Sequence, residues 1–357
     1  MDHKILLSIA LLIALLASCA VPTQLPTQTA APPTLAKSQL TVMTHDSFAI
    51  SENVAARFEQ ENNTRLQFLK AGDAGTALNK AILSKGNPLA DVFYGLDNTF
   101  LSRALTEGIF EPYQPPALDE IPPQFKLDSQ NRALPVDYGD VCPNYDKNYF
   151  VEHNLAAPAN LQDLLKPEYK GLLVVENPAT SSPGLAFLLA TIGVFGTDKY
   201  LDYWKGLVAN DLLVVNDWES AYYTEFSAHG GSRPVVISYG SSPPAEVIFA
   251  ETPIDEPPTS VITADRSCFR QVEFVGILKN SSQRQLAEKW IDFMLSPAFQ
   301  EDMPLQMYVF PVNPKAKLPP VFSEFATIPE QTAQVSPEDI NQYREQWIKD
   351  WTETVLR

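Results

Sequence analysis

The sequence predicts an α/β protein of two lobes, joined by two crossing strands that form a hinge with a ligand cleft. Three observations predict it. Strand-like runs alternate with helical runs over short connections, first in 40–108 and again in 171–240. Long strand-like runs, ALPVDYGDVCPNYD (133–146) and CFRQVEFVGILK (268–279), lead out of the first series and back from the second. The chain of 357 residues is long enough for two domains.

Taken in order, the first series reads as strand 40–44, helix 52–62, strand 65–70, helix 76–86, strand 90–95 and helix 99–108. Such an order argues for parallel strands, whose ligands bind at the loops leaving the strand carboxyl ends. Those loops carry His45-Asp46-Ser47, Gly72-Asp73 and Asp97-Asn98. A Pro-rich run (111–125) precedes the outgoing crossing strand. The second series reads as strand 171–178, helices near 184–194 and 198–209, strand 212–216, a helix from about Trp218, and strand 234–240. After the return strand, helix 282–296 places Leu286, Trp290, Phe293 and Met294 on one face. Ser336-Pro337-Glu338 is a cap and first turn for a last helix over 336–354.

The amino terminus reads as an export signal. ILLSIALLIALLA (5–17) is apolar but shorter than the roughly twenty residues a membrane span needs. Leu16-Ala17-Ser18-Cys19 matches a lipobox, in which Cys19 carries the lipid; an ordinary secretory signal with an incidental Cys is the plainer alternative. Residues 20–38 are Pro- and Thr-rich with almost no charge, and such a segment builds no core. The expected organisation is a signal peptide (1–18), lipidated Cys19 with a disordered tether (19–38), and the first part of lobe 1 (39–140). Lobe 2 follows (141–267), then the return strand and C-terminal helices, mostly in lobe 1 (268–357).

The net charge of −17 argues against nucleic acid and favours cationic ligands through the general field. With Cys19 lipidated, Cys142 and Cys268 remain. In an exported chain they are expected to form a disulfide between the crossing strands, with two buried thiols as the alternative. No GxSxG or HExxH occurs. AGDAGTALNK (71–80) lacks the spacing and the Lys-Ser/Thr pair of a phosphate loop. The histidines are scattered, and no Cys/His cluster has zinc spacing, so neither catalytic residues nor a metal site are expected.

VNDWESAYYTEF (215–226) raises a sharper question. Trp218, Tyr222 and Phe226 recur every four residues, as on the core face of a helix, yet acids surround them. The segment suits either a core helix or a pocket for a flat cation.

The chain resembles the solute-binding proteins of ATP-driven importers, and among them the thiamine-binding proteins. The matching stretches are THDSFA (44–49), ADVFYGLDN (90–98), VDYGDVCPNYDK (136–147) and ENPATSSPGLAFLLA (176–190), then DWESAY (217–222), SYGSSP (238–243) and FMLSPAFQEDMPLQMYVFPV (293–312). They run in the family's order and cover about 40 to 350. The resemblance implies a type II-like periplasmic-binding-protein fold, thiamine as a transported ligand rather than a cofactor, and an ABC permease of the inner membrane as partner. A monomer is expected, and the lipobox adds a lipid anchor to a membrane, with the body facing the periplasm or cell exterior.

By the same resemblance Trp218, Tyr239 and Tyr308 wall the ligand rings. Asp73 faces an amino or cationic group, and Ser181 donates near the hydroxyl or phosphate end. Asp97 is a further candidate, equally suited to capping the helix that follows. Asp73 also suits an N-cap, Ser181 a turn, and Trp218 and Tyr239 the core. Three positions depart from the family pattern. His45 stands where a Tyr is expected, Ala245 where a second Tyr is, and Tyr308 where a Trp is. These changes fit a thiamine site repacked with Tyr222 or Tyr223, or a different cation or a pyrimidine precursor. His45 would make binding pH-sensitive near its ordinary pKa of about 6.5. The rival readings are a ferric-ion binder using Tyr222-Tyr223, an enzyme on the same scaffold, and an adhesive lipoprotein.

Overall fold

The computed structural model describes residues 38–357. The expected signal peptide, Cys19 and nearly all of the expected tether lie outside the described residues. The strands are β1 (Ser38–Thr44), β2 (Thr64–Lys70), β3 (Val92–Asp97), β4 (Phe110–Glu111), β5 (Leu134–Asp146), β6 (Leu173–Glu176), β7 (Leu213–Val215), β8 (Val235–Tyr239), β9 (Thr259–Val261), β10 (Phe269–Leu278) and β11 (Phe310–Pro311). Ser38, the last residue of the expected tether, already pairs with Thr64 in β1.

The main sheet runs in the order β2-β1-β3-β10-β5-β8-β6-β7. β1, β2 and β3 are parallel, as are β6, β7 and β8. Between the two sets lie β10 and β5, antiparallel to each other and to their outer neighbours. All six residues of β3 are buried, and so are all four of β6. That explains why their runs are nearly continuously apolar instead of alternating.

Register decides where the ligand cleft falls. Asp97, at the end of β3, lies opposite Glu273 on β10, which lies opposite Asp137 on β5. Tyr239, at the end of β8, lies opposite Val141 on β5. Asp137 and Val141 are about 13 Å apart along one strand. The carboxyl ends of both parallel sets therefore converge on the middle of the crossing pair.

Cys142 and Cys268 are joined by a disulfide across these strands, with Cα atoms 4.4 Å apart and 126 positions between them in sequence. The last helix, Pro337–Val355, starts with Ser336 Oγ accepting from the Asp339 amide at 3.0 Å. It touches both series. Trp351 packs edge-on against Trp204 at 5.4 Å between centroids, and Arg344 Nη1 donates to the Thr99 carbonyl.

The segment after β7 differs from the expected amphipathic α-helix. Residues Ser220–Glu225 form a π-helical turn, with the Phe226 amide donating to the Ala221 carbonyl at 3.0 Å. Trp218, Tyr222 and Phe226 still share a face. They pack with Val174, Ala221 and Val236 in a small cluster apart from the main core. A π turn widens the backbone by one residue, a distortion found mostly at functional sites.

Candidate ligand-binding site

A cavity of about 260 Å³ opens where the two sets of strand ends meet. One side comes from the loop after β1 (His45 to Ala49), from Lys70 at the end of β2, and from Asp73 and Ala74 at the start of helix Ala74–Leu83. The opposite side comes from Ser182 and Pro183, Trp218, Glu219, Tyr223 and Tyr239. Glu273 of β10 lines it from the crossing pair, and the segment Gln306–Val309, with Tyr308, closes it.

Trp218, Tyr239, Tyr308, Asp73 and His45 therefore face one space although they are scattered along the sequence. Trp218 is nearly buried, stacked on Tyr222 at 5.0 Å and 17°, and its Nε1 donates to Ser238 Oγ at 3.0 Å. One ring face is thus spent on core packing, and the residue still lines the cavity. Tyr239 donates its hydroxyl to Gln271 Oε1 at 2.9 Å. Its ring lies over Gly139, where a Cβ would come within 2.7 Å of Tyr239 Cδ1. Tyr308 sits at φ 56°, a region costly for a bulky residue. Ser241 Oγ donates to its carbonyl, and Phe249 packs edge-on at 5.6 Å, which fixes the ring's place in the wall.

Asp73 caps its helix, with Oδ1 accepting from the Ala74 amide at 2.7 Å. Its Oδ2 is buried without a hydrogen-bond partner. Burial pushes this carboxyl up to about 6, with the Ala74 amide pulling it back. His45 is also buried, and its Nε2, 3.6 Å from Glu273 Oε1, makes no hydrogen bond. Burial lowers its pKa to about 4, so the ring is neutral at pH 7. The expected titration near 6.5 does not hold, because the ring is packed onto Gly95. At φ 95° that residue has no room for a Cβ, which would come within 2.2 Å of His45 Cδ2.

Three expected residues do not line the cavity. Ser181 is wholly buried one residue behind Ser182, as N-cap position of helix Ser182–Phe195. Asp97 is wholly buried, with Oδ1 accepting from the Thr99 amide and Oδ2 from Gln271 Nε2, both at 2.6 Å. It caps the turn and orients Gln271, which in turn bonds Ser182 and Tyr239. Tyr222 lies behind Trp218 and donates its hydroxyl to Glu246 Oε1 at 2.5 Å. Of the adjacent pair Tyr222-Tyr223, only Tyr223 lines the cavity, while the Tyr222 hydroxyl is taken by Glu246.

Sequence reasoning missed Glu273, Gln271, Ser182 and Lys70. Glu273 had a signal: it is an acid inside the otherwise apolar run VEFVGIL. Gln271 and Ser182 had none, since their roles depend on register. Lys70 is the one cation among the described residues lining the cavity, against Asp46, Asp73, Glu219 and Glu273.

Comparison with known proteins agrees with this fold. Residues 87–327 match the family model described as bacterial extracellular solute-binding protein. A thiamine-binding periplasmic protein of Salmonella typhimurium is 32% identical over 92% of this chain and 96% of its own. Among solved structures, a periplasmic thiamin binding protein superposes with a TM-score of 0.79 at 29% identity, covering 90% of this chain and 97% of that one. The ferric binding protein from Campylobacter jejuni shares the fold alone, at a TM-score of 0.72 and 20% identity over 88% of this chain and 99% of its own. With its periplasmic-binding-protein fold and its cleft at the crossing strands, the chain belongs to the bacterial extracellular solute-binding proteins.

Proposed function

We propose that the chain captures thiamine, or a thiamine phosphate, and hands it to an ABC permease without chemically altering it. The observation that carries this reading is the cavity itself. Aromatic rings from three distant segments, Trp218, Tyr239 and Tyr308, wall one space whose lining carries four acids and one lysine. Each ring attracts a flat cation by about 0.5–2 kcal/mol, more where water is excluded. The naming of the relatives in Salmonella typhimurium and among solved structures supports the same ligand. Titration with thiamine tests it. Saturable quenching of tryptophan fluorescence is expected, reduced at least tenfold in affinity by Trp218→Ala. That variant is also expected to lose about 3 kcal/mol of stability, since the ring fills the small cluster. Thiamine that leaves both fluorescence and heat of titration unchanged would sink the reading.

The anchor and the division into lobes belong to the same proposal. Cys19 holds a lipid, residues up to 37 tether the body, and the lobes divide near 140/141 and 267/268. A monomer then closes over the ligand about β5 and β10. Cys19→Ala should move the protein from membrane to soluble fraction. Small-angle scattering should show one compact monomer that shrinks with thiamine; an unchanged profile would contradict closure.

A further inference from the structure

Tyr94, Asp137 and Glu273 meet in a buried cluster that reaches the cavity through Glu273. Tyr94 Oη is 2.6 Å from Asp137 Oδ2 and 3.1 Å from Glu273 Oε2, and one phenol proton serves only one of them at a time. Asp137 Oδ1 is buried with no hydrogen-bond partner. Neither acid has a cationic side chain bonded to it, and both are buried. Two carboxyls so close, out of water and without a counter-charge, do not both ionise.

The groups facing Glu273 come from every surrounding element. They are His45 from the loop after β1, Tyr94 and Asp97 from β3, Asp137 from β5 and Tyr239 from β8. Lys70, Asp73, Asp46 and Glu219 line the same cavity. His45 is neutral at pH 7 and supplies no positive charge. Only Glu273 both belongs to the acid pair and lines the cavity.

We propose that Glu273 is the counter-charge of the bound ligand: the Asp137–Glu273 pair holds a proton in the free protein and releases it when a flat heteroaromatic cation enters, so the pair selects cations over neutral rings of the same shape. The inference rests on the thiamine reading for its ligand class. The balance is simple. A carboxylic acid and a cation become a carboxylate–cation pair, and the proton passes to solvent. Burial, with Asp137 beside it, holds the Glu273 carboxyl well above the usual range, while Asp137 is raised to about 6 by burial. Linkage then makes affinity fall about tenfold per pH unit as pH drops below the free pair's pKa, until the bound pair also protonates.

Calorimetry of the full chain with thiamine at pH 7, in buffers of different ionisation heat, reads the proton directly. About one proton released per thiamine is expected. The uncharged pyrimidine half of thiamine should bind at least a hundredfold more weakly and release none. Glu273→Gln, which keeps the shape, should weaken thiamine binding and abolish the release. Thiamine bound with no proton released overturns this inference and leaves the thiamine reading standing. Equal release from the Glu273→Gln variant overturns the assignment to Glu273. Should that variant fold poorly, the buffer comparison on the parent protein decides alone. No thiamine binding at all overturns both.

Discussion

Asp73 divides its two oxygens between two tasks. Oδ1 holds the first amide of its helix, and Oδ2 is buried beside the cavity without a hydrogen-bond partner. Asparagine keeps a capping oxygen and loses the charge. Asp73→Asn should therefore leave folding stability within about 1 kcal/mol and lower thiamine affinity about tenfold. Asp73→Ala should lose the cap as well, costing about 1 kcal/mol of stability in urea denaturation. An Asn variant that binds like the parent would reduce Asp73 to a cap. The sequence made residue type legible but not depth. Trp218, Tyr239, Tyr308, Asp73 and His45 were readable as cavity residues because loop position and family pattern single them out. Ser181, Asp97 and Tyr222 lie one layer behind the lining, Asp97 in the capping role that was its alternative, because one residue of register or one backbone turn decides which side chain faces the cavity. His45 kept its place but not its expected titration, because burial was invisible in the sequence.

At the scale of elements, the crossing strands do more than connect. β5 carries Asp137 and the bare backbone of Gly139 under the Tyr239 ring, and β10 carries Gln271 and Glu273 beside them. Gly139→Ala would push a methyl into that ring. It should lower thiamine affinity at least tenfold while the thermal midpoint falls by only a few degrees. Equal affinity in the variant would mean the Tyr239 ring is free to move and is not a fixed wall. Both strands were legible from their length and their place between two α/β series, and so was the Cys142–Cys268 pairing. The π turn at Ser220–Glu225 was not. Four-residue spacing of Trp218, Tyr222 and Phe226 fits an α-helix as well as this widened turn, and the hydrogen-bond register that separates them leaves no mark on composition.

For the whole molecule, the buried acids in and behind the cavity wall form a reservoir of raised carboxyl pKa values. Asp73, Asp97 and Asp137 are each pushed up to about 6 by burial, and Glu176 and Glu273 well above their ordinary value. A carboxyl raised on folding binds more protons in the folded state, so its burial cost is relieved as pH falls from about 6 toward 4. His45, lowered to about 4, works the other way, losing stability as pH falls below its ordinary 6.5. Several acids oppose one histidine, so the thermal midpoint should rise by several degrees between about pH 7 and pH 5, then fall in stronger acid. A midpoint that only declines below pH 7 would contradict this balance. Over the same range thiamine should bind more weakly, so stability and affinity move in opposite directions. The central claim is that this cavity holds a flat organic cation. Native mass spectrometry of the full chain as purified, then with added thiamine, tests it most directly. The account predicts a single adduct at the mass of thiamine or a thiamine phosphate, retained on gentle activation and lost in Trp218→Ala. A chain that stays bare with thiamine, or takes up ferric iron with a visible tyrosinate band, would contradict it.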